Sequence, residues 1–371
     1  SHVGVTMNVG DLIAPYVGLQ NGEKALVDAI HRSSNGVTTF RLSIPNSQNE
    51  YTVHLVREVG ETSELLQATA AVAGFYNEKY FHEMVKYEKM EMSTGQYKDA
   101  LKIEDEGKQY PVFITERQGG DITPRHSLTL DQLSQVAREL SKLHAFCFLE
   151  TDVEAKQTLN ENHVIISAFH AEKFAIALAD NLKALTTEHA KFFSNAAKLP
   201  EAVNVLYKSA EDLMYISTLP EEMRQPSVLC HGELSADKII FGENGKLVEI
   251  RHWDNVHYGS VAEDLSFLII TSASTDVRRN HYLSVFRQYY YRLVDLTSTK
   301  FKLAALKESF KKMHKYAVLA SMDLLLMTLR SQQSDEEKME HAQRWESALE
   351  DAVSIENNEY LSDNEDAFFA K

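Results

Sequence analysis

Hydrophobic periodicity changes once along the chain, near residue 118, and that change limits the fold more than any other feature. Before it, Val37, Phe40, Leu42 and Ile44, then Tyr51, Val53 and Leu55, alternate at roughly period two within Ala25 to Glu58. That is the pattern of half-buried strands. The breaks Ser33-Ser34-Asn35-Gly36 and Pro45-Asn46-Ser47-Gln48-Asn49 are rich in residues that tolerate tight turns, so three strands form an antiparallel meander. Glu64 to Tyr87 reads as a helix, and Leu101 to Ile103 with Val112 to Thr115 as a further strand pair. Gln118-Gly119-Gly120-Asp121 reads as a linker.

Beyond the linker the period becomes helical. Thr129-Leu130-Asp131-Gln132 has capping-box spacing ahead of the stripe Leu133, Val136, Leu140, Leu143, which marks a helix start. Short apolar runs return only at Val228 to Trp253, around Gly242-Glu243-Asn244-Gly245, a strong hairpin signal. Long helical stretches are expected from about Asp276 to Asp295 and from Phe301 to Val353. Strands with one helix, then helices with one hairpin, is α+β segregation and not βαβ alternation. The division expected is 1–117 strand-rich, 118–356 helical with the hairpin, and 357–371 an acidic tail.

A formal charge of -16 gives no positive field for nucleic acid or an anionic membrane, so neither is an expected partner. Cys147 and Cys230 are the only cysteines, too few for a disulfide framework and outside any CxxC spacing. A reducing, cytoplasmic setting is expected. The apolar run Val261 to Ile270 is broken by Glu263 and Asp264 and is far shorter than a membrane span.

The most specific stretch is Val228 to Phe241, with His231-Gly232-Glu233-Leu234 and Lys238, followed by the hairpin and then Ile250-Arg251-His252-Trp253-Asp254. It resembles the paired motifs HGDLxxxN and IDW of choline kinases, aminoglycoside phosphotransferases and, most closely, the nematode CHK-kinase-like and insect ecdysteroid-kinase-like proteins. His257-Tyr258-Gly259-Ser260-Val261-Ala262-Glu263-Asp264-Leu265 is similar to the HFGNPAEDL segment of the nematode proteins, and Leu140 to Phe146 to the helix that precedes the loop. The resemblance implies a two-lobed protein-kinase-like fold, with a small antiparallel-sheet nucleotide lobe and a large helical lobe.

In that family the Asp of HGD faces the substrate hydroxyl, and the Asn and the Asp of IDW hold magnesium on ATP. Phosphoryl transfer requires its charge neutralised and its partners aligned, and magnesium takes oxygen ligands. At the matching positions this chain carries Glu233, Lys238 and His252. Glu233 keeps a carboxylate on a longer stem. Lys238 has donors only and repels a metal ion, and His252 offers nitrogen in place of an anionic oxygen. The family's phosphate-binding Lys falls on His54, with Arg57 the nearest strong cation but on the opposite strand face. Its helix Glu partner falls on Val72 or Glu78, with Glu78 preferred, and Glu116 joins the nucleotide-end residues. His231 and Asp264 are expected to fix the loop rather than react. Asp237 and Asp254 flank altered positions, but the apolar register holds them off the ligand role.

A zinc set of His231, Glu233, His252 and His257 lacks the i, i+4 spacing of HExxH, so no metal is assigned. ATP stays open as a ligand, and magnesium is not expected at the usual position. The expected function is a kinase-fold pseudoenzyme or strongly impaired small-molecule phosphotransferase, binding a small ligand or a protein partner in the interlobe cleft. The alternative is an active ATP-dependent enzyme acting on a hydroxyl of a steroid or amino alcohol, with Glu233 as base.

Overall fold

The computed structural model describes residues 13–17, 26–32, 37–44, 47–56, 65–105, 107–118, 126–149, 152–298 and 301–359. The chain forms two compact units. One takes Ser1–Thr123, Glu161–Ile166 and Val248–Val256; the other takes Pro124–Asn160, Ser167–Leu247 and His257–Lys371. The division read from the sequence is a single cut, whereas here two short later segments fold with the strand-rich unit. Side chains explain this: Asn162 donates to the Asn77 Oδ1 and His163 meets the Asn255 Oδ1, both inside the first unit.

The first unit is a five-stranded antiparallel sheet with strand order β1-β2-β3-β5-β4. Its strands are β1 (Leu26–Arg32), β2 (Val37–Ser43), β3 (Asn49–Val56), β4 (Gln96–Asp105) and β5 (Lys108–Gln118). Helix α1, Leu65–Tyr87, joins β3 to β4. The period-two pattern sorts β3 by face. Tyr51, Val53 and Leu55 pack with Phe40, Leu42, Val112 and Ile114 on Ile13 and Val17, while Val56 and Phe113 meet Phe75 of α1. His54 lies directly opposite Phe113 in the β3–β5 register. Burying the large apolar groups on both faces contributes roughly 1.5–3 kcal/mol for each fully buried side chain.

In the second unit, α2 (Leu130–Leu149) opens on the expected capping box. Thr129 Oγ1 accepts the Gln132 N–H at 3.2 Å, and the Gln132 side chain returns to the Thr129 N–H at 2.9 Å. All four stripe residues are buried. The short strands are β6 (Ser227–Cys230), β7 (Ile239–Phe241) and β9 (His257–Ser260), while β8 (Leu247–Ile250) passes into the first unit at Val248. β6 pairs with β9, and the turn between β7 and β8 closes through Gly242 and Lys246, with Gly245 at a φ of 75 that glycine takes without strain.

The two long helical stretches expected from the sequence hold five helices. The first breaks at His281 into α3 (Thr275–Asn280) and α4 (Tyr282–Thr297). The second divides into α5 (Leu303–Ala320), α6 (Met322–Leu329) and α7 (Asp335–Glu356). Amphipathic patterning continues through short breaks, so the period alone does not reveal them. Ser334 marks one start: its side chain accepts the Glu337 N–H, an N-cap. The α+β class is the one expected. No helix among the described residues is long and apolar enough to cross a membrane. Gln118 ends β5 and so belongs to the sheet, while the rest of the expected linker, Arg57, Gly36 and the tail from Tyr360 lie outside the described residues.

Candidate functional site

The first unit gathers His54, Glu78, His82 and Trp253. Glu78 and His82 stand one turn apart on α1 and share a face. Glu78 Oε1 lies 3.4 Å from His54 Nδ1, and Oε2 lies 3.9 Å from His82 Nε2. Oε2 also accepts the Trp253 N–H at 2.9 Å. Trp253 is itself locked, its ring stacked on Phe81 at 3.9 Å and its indole N–H donated to the Ile250 carbonyl. His54 stacks on Phe113 at 4.2 Å with an interplanar angle of 6°, which uses the cross-strand pairing to hold the ring flat.

Charge is largely absent from this group at neutral pH. Burial holds the His54 imidazole well below its ordinary range, with His82 and His252 adding to the effect. Burial, then the neighbouring Asp254, pushes Glu78 up to about 8, against the Trp253 N–H. His82 is held down to about 4, chiefly by burial. The result is neutral imidazoles around a protonated carboxyl. His252, which precedes Trp253, is exposed and sits at φ 63, ψ 61, the left-handed region where a side chain costs roughly 1–2 kcal/mol. Glu116 on β5 is taken up within the sheet by Asn49, Tyr51 and Lys98.

In the second unit the loop after β6 is fixed from below. Asp264 on the helix Glu263–Ser272 accepts the His231 N–H at 2.6 Å on one oxygen and the Gly232 N–H at 3.1 Å on the other. Gly232 has a φ of 95, so glycine is needed at the bend. His231 is buried, and its Nδ1 accepts the Glu233 N–H. Farther along, Ser272 Oγ takes the Ala236 N–H. Lys238 turns back into its own loop: Nζ is 2.9 Å from Ser235 Oγ, 3.4 Å from Asp237 and 3.9 Å from Glu233. Glu233 has a half-exposed side chain. Although burial works to raise it, Lys238 and then His170 hold its carboxyl below the usual range, so it is ionised. Burial raises the Asp264 carboxyl to about 7, Glu263 adds to this, and the two loop N–H groups oppose it.

The structure therefore brings His54 to Glu78, of the two helix positions read from the sequence, and Lys238 to Glu233 and Asp237. Sequence reasoning missed His82, Phe113 and His170. His82 was detectable in principle from its i, i+4 spacing to Glu78, and Phe113 from strand pairing. His170, far from the loop in sequence, left no local signal.

A family model described as "Uncharacterized oxidoreductase dhs-27" matches residues 102–356. A Caenorhabditis elegans protein of that description is 22% identical over 204 residues, which is 50% of this chain and 23% of that protein. The chain thus spans less than a quarter of the length of the curated relative it matches. Among solved structures, a Ralstonia eutropha protein described as an aminoglycoside phosphotransferase aligns at 12% identity and a TM-score of 0.47, over 94% of this chain and 97% of that one. A microcompartment-associated aminopropanol kinase aligns at 10% and 0.46, over 90% and 92%. A Plasmodium vivax ethanolamine kinase aligns at 11% and 0.43, over 91% and 86%.

Proposed function

The chain belongs to the dhs-27 family, and on that footing we propose that it is a kinase-fold protein without metal–nucleotide chemistry, acting by binding a small organic ligand or a protein partner. The observation that carries this reading is the neutral His54–Glu78 pair. The resemblance puts a cationic phosphate-binding Lys at His54, and a buried imidazole held below its usual range, stacked on Phe113, supplies no such charge. The magnesium positions point the same way. Lys238 places an ammonium where an oxygen ligand belongs and satisfies it with Ser235 and Asp237. A hard dication in that spot meets repulsion instead of coordination. These residues do not fit magnesium-bound ATP.

Hydride chemistry is not part of the proposal. The oxidoreductase wording describes a protein of which this chain matches 23%. The described sheet is antiparallel and the sequence has no Gly-x-Gly-x-x-Gly run, whereas dinucleotide binding uses a parallel sheet with that loop. The acidic balance of the chain argues against nucleic acid or an anionic membrane as partner. Two free, buried cysteines fit a reducing, cytoplasmic setting.

One observation favours a second reading, an active phosphotransferase on a small alcohol. Glu233 is ionised and half-exposed, as a base that takes a hydroxyl proton must be. A screen of ATP turnover over amino alcohols and sterols, with magnesium or manganese, separates the two. No turnover above the protein-free rate is expected. Metal-dependent turnover that disappears in Glu233→Ala overturns the proposal in favour of the enzyme.

A further inference from the structure

We infer that Cys230, His257 and Glu263 form a buried binding site for a thiophilic divalent cation of the zinc class. The inference is independent of the proposed function. Strand pairing sets two of the groups face to face, because Cys230 and His257 are partners in the β6–β9 register. Glu263, the first residue of the following helix, supplies the third. Their ligand atoms all lie within 4.8 Å of one another. All three residues are almost fully buried.

Gly259 shows that these atoms converge. A Cβ there would lie 2.6 Å from Glu263 Oε1, 3.1 Å from His257 Nε2 and 3.3 Å from Cys230 Sγ. Glycine at this position leaves the space before the three donors clear, and any side chain fills it. Gly259 carries no positive φ, so backbone strain does not account for it.

The donor chemistry matches. A thiolate, an imidazole and a carboxylate are all zinc ligands, bound at about 2.0–2.3 Å. Thiolate and carboxylate carry two negative charges that a dication cancels, leaving a neutral cluster in a site where net charge is costly. Glu263 Oε2 is 2.9 Å from His257 Nε2. The Cys230 sulfur meets the Val228 and Ser260 carbonyls at 3.5 and 3.4 Å and the Gly259 backbone N–H. Metal uptake releases the thiol proton to solvent as the thiolate forms. Cys230 also groups with His144 and Asp264 at the same spread, but both Asp264 oxygens are taken by the loop. A metal here pins the entry to the loop, since Cys230 directly precedes His231 and Glu263 directly precedes Asp264.

The test uses the full chain, expressed with added zinc, purified without chelator and weighed for metal by plasma mass spectrometry. A second sample is unfolded with chelator and refolded with cobalt(II). The expected results are one zinc per chain and a thiolate-to-cobalt charge-transfer band in the near ultraviolet, both lost in Cys230→Ser and His257→Gln. Should those variants fail to fold, the wild-type cobalt spectrum decides alone. Cobalt without a thiolate band, a negligible metal content, or metal retained by both folded variants overturns the inference.

Discussion

His54 Nδ1 and Glu78 Oε1 face each other at 3.4 Å across the first unit's core, and neither carries its usual charge. This pair gives the first prediction. Folded Glu78 keeps its proton from its ordinary 4.5 up to about 8, whereas the unfolded carboxyl loses it near 4.5. The folded state binds more protons in that window, so this contribution to stability is full below 4.5 and is lost as pH rises toward about 8. His82, held down to about 4 from 6.5, has the opposite slope below 6.5. Glu78→Gln keeps the neutral acceptor for the Trp253 N–H and removes the titration. Urea unfolding across this range is expected to show the variant gaining on the wild type as pH rises from about 4.5 to about 8.

Asp264 is predicted to be the main anchor of the loop that follows β6. Asp264→Ala leaves two buried N–H groups, of His231 and Gly232, without acceptors, each worth about 1–3 kcal/mol. Equilibrium unfolding should show a loss of about 2–6 kcal/mol on that reckoning, with Asp264→Asn intermediate because it keeps one carbonyl oxygen. A loss within error of zero contradicts the anchoring role.

The C-terminal helix is held by a buried ion pair. Arg278, fully buried, donates to Asp351 at 2.6 Å, and Arg279 reaches the same carboxylate at 2.8 and 3.0 Å. Asp351→Ala strands the Arg278 charge and should cost about 3–5 kcal/mol in chemical denaturation. Replacing both Arg278 and Asp351 by apolar residues of matched volume should recover much of that loss.

Much of this was legible in the sequence, for identifiable reasons. The alternation Tyr51, Val53, Leu55 marked β3 as a strand and set His54 on the face opposite those three. Thr129 and Gln132 announced their helix because a capping box is a local event. Glu233, Lys238 and His252 stood out because their neighbours keep family spacing. The breaks at His281 and after Ala320 did not show, since apolar spacing runs through them. The cluster of Cys230, His257 and Glu263 was hidden for another reason: strand pairing brings Cys230 to His257, 27 residues apart in the chain, and no local spacing encodes that.

If the altered positions are what removed metal–nucleotide binding, restoring them should return some of it. The combined variant His54→Lys, Lys238→Asn and His252→Asp is expected to gain a magnesium-dependent affinity for ATP that calorimetry detects, where the parent gives none. The buried His54→Lys change asks most of the fold, so the two magnesium positions alone form the control.

The most direct test of the central claim is the thermal stability of the wild-type chain with ATP, in the presence and absence of magnesium. The neutral His54–Glu78 pair of the first unit, and separately the Lys238 of the second unit already satisfied by its own loop, each predict the same melting temperature whether or not magnesium accompanies the nucleotide. A melting temperature that rises with ATP only when magnesium is present, and climbs with its concentration as mass action requires, contradicts the account.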